Sequence, residues 1–237
     1  MDPLPVPPGP VADEVACRLL LNDQEVVSLW CSPIDLGDLA LGYLMSALGG
    51  ISPGDFDSVE IESPNEGPEE GTWLIRVTEP AARGAAAGRS GGRPSPGAAD
   101  APGAFSLTMG PLREAARRVM EGGPLRNATG GIHSAGAMLP DGRVILREDV
   151  SRHCALDKAI GAAAREADLR EVVLLSSGRA AQEMVQKAVN VGVPVFATRG
   201  IPTTPAYRLA HLSGLTLIGQ ALSAQPITYT GAHRVRG

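Results

Sequence analysis

The sequence predicts an α/β protein: a three-layer α/β/α domain on a mixed, mostly parallel sheet, preceded by a smaller N-terminal α+β unit. Three observations carry this. Beyond residue 168, EVVLLSS, VPVFATR and LTLIGQA alternate with helical stretches at 179–191 and 204–213, an order that demands crossover connections and a sheet covered on both faces. Apolar residues fill 43% of 237 positions, enough for a core, and with only two Trp, three Tyr and three Phe that core must be Ala, Val, Leu and Ile. Residues 80–104, in which 19 of 25 are Ala, Gly or Pro, show no apolar periodicity and lie between a patterned region before them and another after.

Taken in order, a Pro-rich segment at 1–12 reads as a disordered tail and 13–79 as the α+β unit. Within it VACRLLLN and QEVVSLWCS flank Asn22-Asp23 as a hairpin. A helix begins at Asp35 and closes at Gly49-Gly50, and DSVEIES and TWLIRVTE read as strands. After the flexible 80–104 loop comes the larger domain, 105–237. It opens with an amphipathic helix near 106–121, then a hairpin of IHSAGAML and RVILRE around Asp141-Gly142, then a helix over about 150–167.

Composition excludes several functions. A net charge of −5 and few aromatics argue against nucleic-acid binding. No apolar run approaches a membrane span and the N-terminus is not a signal peptide, so the expected setting is cytoplasmic, without a membrane partner. Cys17, Cys31 and Cys154 are far apart and form no CxxC pair, which supports neither a disulfide framework nor structural zinc. The element order is similar to that of cytidine deaminases, but SSGR stands at the second helix start, where their PCxxC pair of zinc-binding cysteines is needed, so no bound metal is expected.

Strand ends in an open α/β sheet collect ligands. One strand runs into Ser176-Ser177-Gly178-Arg179, suited to phosphate or carboxylate; the next runs into Ile201-Pro202-Thr203-Thr204-Pro205, with Thr204 expected as helix cap. Asn127-Ala128-Thr129-Gly130-Gly131-Ile132-His133 enters the hairpin through two glycines, as a turn or as a close approach of backbone to ligand. In REDVSRHCALDK, Leu156, Ala159, Ile160, Ala163 and Ala167 share the sheet-facing side of a helix, and Cys154, Lys158 and Arg165 lie opposite. Lys158 one turn after Cys154 favours thiolate, whereas a solvated face with an inert cysteine is the plain alternative. Asp149 and Asp157 at four-residue spacing from His153 favour its protonated form.

Together LLLNDQEVVSLWCSPIDLGDLALGYL, ATGGIHSAGAM, LREDVSRHCALDKAIG, LLSSGRAAQEMVQKAVNVGVPVFA, IPTTPAYRLA and GLTLIG resemble the formate dehydrogenase accessory sulfurtransferase family, FdhD/NarQ. The resemblance implies a cytidine-deaminase-like larger domain and a dimeric cytoplasmic protein. It also implies transfer of sulfur from a cysteine desulfurase to molybdopterin guanine dinucleotide, destined for a molybdenum- or tungsten-dependent formate dehydrogenase. Together with helix-end physics it points to a nucleotide site at Thr129, Gly130, Gly131, His133, Arg152, Ser176, Ser177, Gly178, Arg179, Pro202 and Thr203. The family's CxxC is absent: Arg89-Ser90-Gly91-Gly92-Arg93-Pro94 occupies its place. A surviving relay would use Cys154 as carrier, Lys158 to stabilise thiolate and His153 to move protons. Two further readings are a cofactor-binding chaperone without sulfur transfer and a repurposed enzyme using His133, His153 and Asp157 for acid–base work.

Overall fold

The computed structural model describes residues 7–64, 71–80 and 105–236. Residues 1–6 of the expected tail and 81–104 of the expected loop, including the segment in place of the CxxC, lie outside the described residues. Strands β1 (Val15–Leu21) and β2 (Gln24–Cys31) form the expected antiparallel hairpin, turning through Asn22 and Asp23 at φ 49° and 62°. Helix α1 (Leu36–Leu48) follows, then β3 (Ser58–Glu62) and β4 (Thr72–Thr78), giving a sheet in the order β2-β1-β4-β3. Asp35 does begin α1, but in a left-handed conformation without a side-chain cap; its carboxylate lies 3.6 Å from Arg147 Nε instead.

The second sheet gathers the C-terminal elements. After β5 (Leu107–Thr108) come α2 (Met109–Met120), a short α3 (Pro124–Thr129), the hairpin β6 (His133–Met138) and β7 (Val144–Asp149), and α4 (Arg152–Ala164). Then β8 (Val173–Ser176), α5 (Gln182–Asn190), β9 (Val195–Thr198), α6 (Thr204–Leu212) and β10 (Thr216–Gly219) alternate as the pattern requires, with β11 (Ile227–Thr228) and β12 (Val235–Arg236) closing the chain. The order of this six-stranded sheet is β11-β10-β9-β8-β6-β7, while β5 and β12 pair with each other in a separate two-stranded sheet.

Within this sheet, among the described residues, only β8, β9 and β10 run parallel; β6 is antiparallel to both β7 and β8, and β11 to β10. The sheet is thus mixed, but not mostly parallel by its pairings, because the hairpin joins it through its first strand and the chain returns along the far edge. Period-two alternation sends Ala135, Ala137, Leu174, Phe196 and Leu217 toward α4, α5 and α6, and Val173, Leu175, Val195, Ala197 and Ile218 toward α2. Helices therefore cover both faces.

Helix α4 is where the two sheets meet. Every residue from Cys154 to Ala163 is buried, one side against the six-stranded sheet and the other against α1 and the first sheet. Two glycines set this approach: a Cβ on Gly42 would stand 1.8 Å from the Asp157 carbonyl oxygen, and one on Gly161 2.1 Å from that of Asp38. Mid-helix glycine costs propensity but here lets backbones touch. Gly42→Ala and Gly161→Ala should each destabilise the protein by about 1–3 kcal/mol despite better helix propensity, measured as a lower denaturation midpoint. Gly110→Ala on α2, where a Cβ meets nothing within 4 Å, is the control and should be neutral or slightly stabilising.

Candidate functional site

One edge of the six-stranded sheet collects most of the residues singled out in the sequence. The carboxyl ends of β8, β9 and β10 lie there, and because β6 runs the other way its first residue, His133, lies there too, opposite Asp149 at the end of β7. Backbone and hydroxyl bonds knit the edge: Ser134 N–H donates to Ser177 Oγ (2.9 Å), Ser177 N–H to the Ser134 carbonyl (2.8 Å), and Gly178 N–H to Ser176 Oγ (3.2 Å). Arg199 N–H donates to the Ser176 carbonyl at 3.0 Å, and Thr203 N–H to that of Ala180 at 3.0 Å, beside the bridge between Ala180 and Pro202. Thr203, rather than Thr204, caps α6, its Oγ1 accepting from Ala206 N–H at 3.4 Å. The cap moves back one residue because Thr204 and Pro205 fill the first two helical positions, where proline's missing donor is harmless.

The glycine turn has a builder that the sequence reading missed. Gly123-Pro124 starts α3 and Gly130, at φ 74°, ends it, the proline-first, glycine-last signature of a helix. Thr129 Oγ1 donates back to the Leu125 carbonyl at 3.0 Å, and a Cβ added to Gly130 or Gly131 meets nothing within 4 Å. The backbone of the turn is therefore open on the side where a side chain would stand.

Positive charge gathers at the edge. Arg152, at the start of α4, passes its chain 3.4 Å from where a Gly178 Cβ would be, and Arg179 Cγ lies 2.8 Å from a Gly200 Cβ, so these glycines give two arginines room to fold across the turns. Among the described residues no carboxylate pairs with Arg152, Arg179 or Arg199. Burial holds half-buried His133 below the ordinary histidine range, with Arg152 and Arg126 adding to it. Burial likewise lowers His153, aided by Arg152 and Lys187 and opposed by Glu183, whose Oε2 is 3.5 Å from Nε2. His153 is therefore not held protonated by its four-residue spacing from two carboxylates, because Asp149 pairs with Lys158 and Asp157 with Lys187.

That other face holds the rest of REDVSRHCALDK. Asp157, buried, accepts from Ser46 Oγ (3.0 Å) and from Lys187 Nζ (2.7 and 2.8 Å), joining α4 to α1 and α5. Lys158, also fully buried, sits 2.6 Å from Asp149 Oδ2 and donates to the Ser32 carbonyl at 3.0 Å. It serves Asp149, not the thiol. Cys154 packs with Cys17 and Cys31 in the core of the first sheet, 5% exposed, and donates to the Trp30 carbonyl at 3.7 Å. Burial, reinforced by Asp149, pushes its thiol up to about 12. Contact with Cys17 and then burial push Cys31 up as well. The face opposite the sheet was expected to carry a thiolate or to meet solvent; it meets the N-terminal unit, and there the cysteine is protonated core.

The FdhD/NarQ family model matches residues 12–236. The chain belongs to the FdhD/NarQ family. It is 34% identical over 242 residues to the sulfur carrier protein FdhD of Bordetella parapertussis, covering 95% of this chain and 87% of that one. It is 46% identical over 112 residues to the protein of the same name from Nocardia farcinica, an alignment spanning 46% of this chain and 40% of the relative. A crystal structure assigned to a formate dehydrogenase accessory protein from Desulfotalea psychrophila superposes with a TM-score of 0.75 at 23% identity, over 95% of this chain and 90% of that one, and shows the shared fold. Among the described residues no helix is long and apolar enough to cross a membrane.

Two measurements test the electrostatics. Lys158→Met leaves Asp149 buried without its cation and should cost about 3–5 kcal/mol of stability, read by chemical denaturation. The lowered histidines have the opposite sign to an ion pair: unfolded imidazole takes up protons first, so their contribution is complete above about pH 6.5 and is lost as pH falls below it. The thermal midpoint should therefore drop on acidification from pH 7 to 5, and a His133→Gln/His153→Gln protein should show a shallower drop.

Proposed function

We propose that this chain is a formate dehydrogenase accessory protein that binds molybdopterin guanine dinucleotide, or a related guanine nucleotide, at the carboxyl edge of its six-stranded sheet. The observation that carries this reading is that Arg152 lies against Gly178 and Arg179 against Gly200 at the sheet edge, neither with a carboxylate partner among the described residues, where the Gly130-Gly131 turn leaves its backbone open. Guanidinium forks and open backbone suit phosphate oxygens. Neutral His133 and His153 beside Arg152 can each hold a proton that an arriving anion stabilises, so nucleotide affinity should strengthen as pH falls through the histidine range.

The relatives bear the name of sulfur carriers, which supports a place for this chain in sulfur transfer to the cofactor, and the reading includes a cysteine desulfurase as sulfur source, a molybdenum- or tungsten-dependent formate dehydrogenase as client, a homodimer and a cytoplasmic setting. Helices on both faces of a mixed sheet support a cytidine-deaminase-like layering of the larger domain. The bound cofactor supplies the acceptor of sulfur. The residues of this chain bind and orient it: Arg152 and Arg179 across the phosphates, Thr129 to Gly131 along the open turn, Ser177 fixing the start of β6 through Ser134. None of Cys17, Cys31 and Cys154 is exposed by more than 5%, so sulfur reaches the site on a thiol outside this chain, and the protein works as the cofactor-binding partner in that transfer.

Titration with GDP should show saturable binding that Arg152→Ala weakens by about tenfold or more and Cys154→Ser leaves unchanged. In parallel, incubation with an active cysteine desulfurase and cysteine should leave all three cysteines without persulfide by mass spectrometry. Absence of nucleotide binding defeats the reading; transferable sulfur on Cys154 returns the relay to this chain.

A further inference from the structure

The most unusual charge in the larger domain is neither at the edge nor in an ion pair. Glu148 belongs to the inward face of β7 with Val144 and Leu146, is 5% exposed, and has no salt-bridge partner among the described residues. Its two oxygens accept three backbone donors at 2.9 Å: Gly123 and Arg126 N–H to Oε1, Leu125 N–H to Oε2. These are the donors that the first turn of α3 leaves unpaired. Gly123 is fitted to this carboxylate, since a Cβ there would lie 2.6 Å from Oε2 and 2.8 Å from Leu146 Cδ2. The other end of the same six-residue helix is Thr129-Gly130, and Arg126 Nη1 reaches forward to the Ile132 carbonyl at 3.4 Å.

Resting on the nucleotide-binding reading above, we infer that Glu148 is a positioning residue for the site: its carboxylate clamps the start of α3 so that the Thr129 to Gly131 turn and His133 are held open toward the ligand. A helix this short has little stability of its own, so the clamp and the strand that follows decide where its far end stands. Sites whose supporting contacts are lost bind weakly even when every contacting group remains.

The test uses the full chain, a fluorescent N-methylanthraniloyl GDP probe and amide hydrogen exchange. Glu148→Gln, which turns one acceptor into a donor, and Gly123→Ala, which pushes the carboxylate away, should each weaken binding on the order of tenfold, with faster exchange across residues 129–133. Val77→Ala, a core change in the first sheet, should lower stability while binding stays within about twofold. The double variant should be no weaker than the weaker single one, because both act on one contact. Wild-type affinity and wild-type exchange in both single variants overturn the inference, as does an equal loss in Val77→Ala. If the unaltered protein fails to bind the probe, the nucleotide reading falls, and exchange alone judges the clamp: acceleration across 129–133 in Glu148→Gln but not in Val77→Ala supports it, and no acceleration overturns it.

Discussion

The structure turns on a single buried ion pair, Asp149 with Lys158, both without solvent exposure and 2.6 Å apart. Removing two charges from water is costly, and the attraction between them offsets this only when their remaining bonding capacity is filled. Here it is filled almost entirely by backbone: Ser32 and Ser151 N–H donate to the carboxylate, and the carbonyls of Ser32 and Glu148 accept from the ammonium. Even so, burial leaves the Asp149 carboxyl above its usual range, with Lys158 pulling the other way. The pair fastens three chain segments at one point: the end of β2, the end of β7 and the body of α4.

That fastening explains why one dodecapeptide is so densely charged. Arg147 pairs with Asp38 at the start of α1, Glu148 with the start of α3, Asp149 with Lys158, and Asp157 with Lys187 on α5. Arg152 and His153 alone face the sheet edge. The segment is a junction at which the N-terminal unit, the short helix and the sheet are all anchored, and its cysteine belongs to the packing between them. A helix buried on both sides needs small residues where backbones meet and paired charges where polar groups are trapped; α4 has both.

The edge has the contrary character. Among the described residues Arg152, Arg179 and Arg199 have no carboxylate partner, and burial lowers His133 and His153, so the edge retains positive potential and proton-accepting capacity where several chain segments end. Internal pairing is concentrated on the far side of α4, where it fixes geometry without neutralising the surface proposed to meet the ligand.

Element order, the Asn22-Asp23 and Asp141-Gly142 turns, the sheet-facing side of α4 and the strand-end motifs were legible in the sequence because they follow from local periodicity and turn chemistry. Even α3 had a readable signature in Gly123-Pro124 and Gly130, and a glutamate in the inward register of Val144 and Leu146 was a local contradiction that marked Glu148. What local pattern does not contain is the covering of the second face of α4. Helical periodicity says which residues lie opposite the sheet, but not whether water or another unit lies beyond them, and a charged face reads alike in both cases. The N-terminal unit, more than a hundred residues earlier, decided that: it turned Cys154 from a candidate thiolate into protonated core, Lys158 from its activator into the partner of Asp149, and Asp157 into a link between helices. The joining of distant strand ends into one cationic edge was likewise settled by strand order, which depends on long-range pairing and on no single segment.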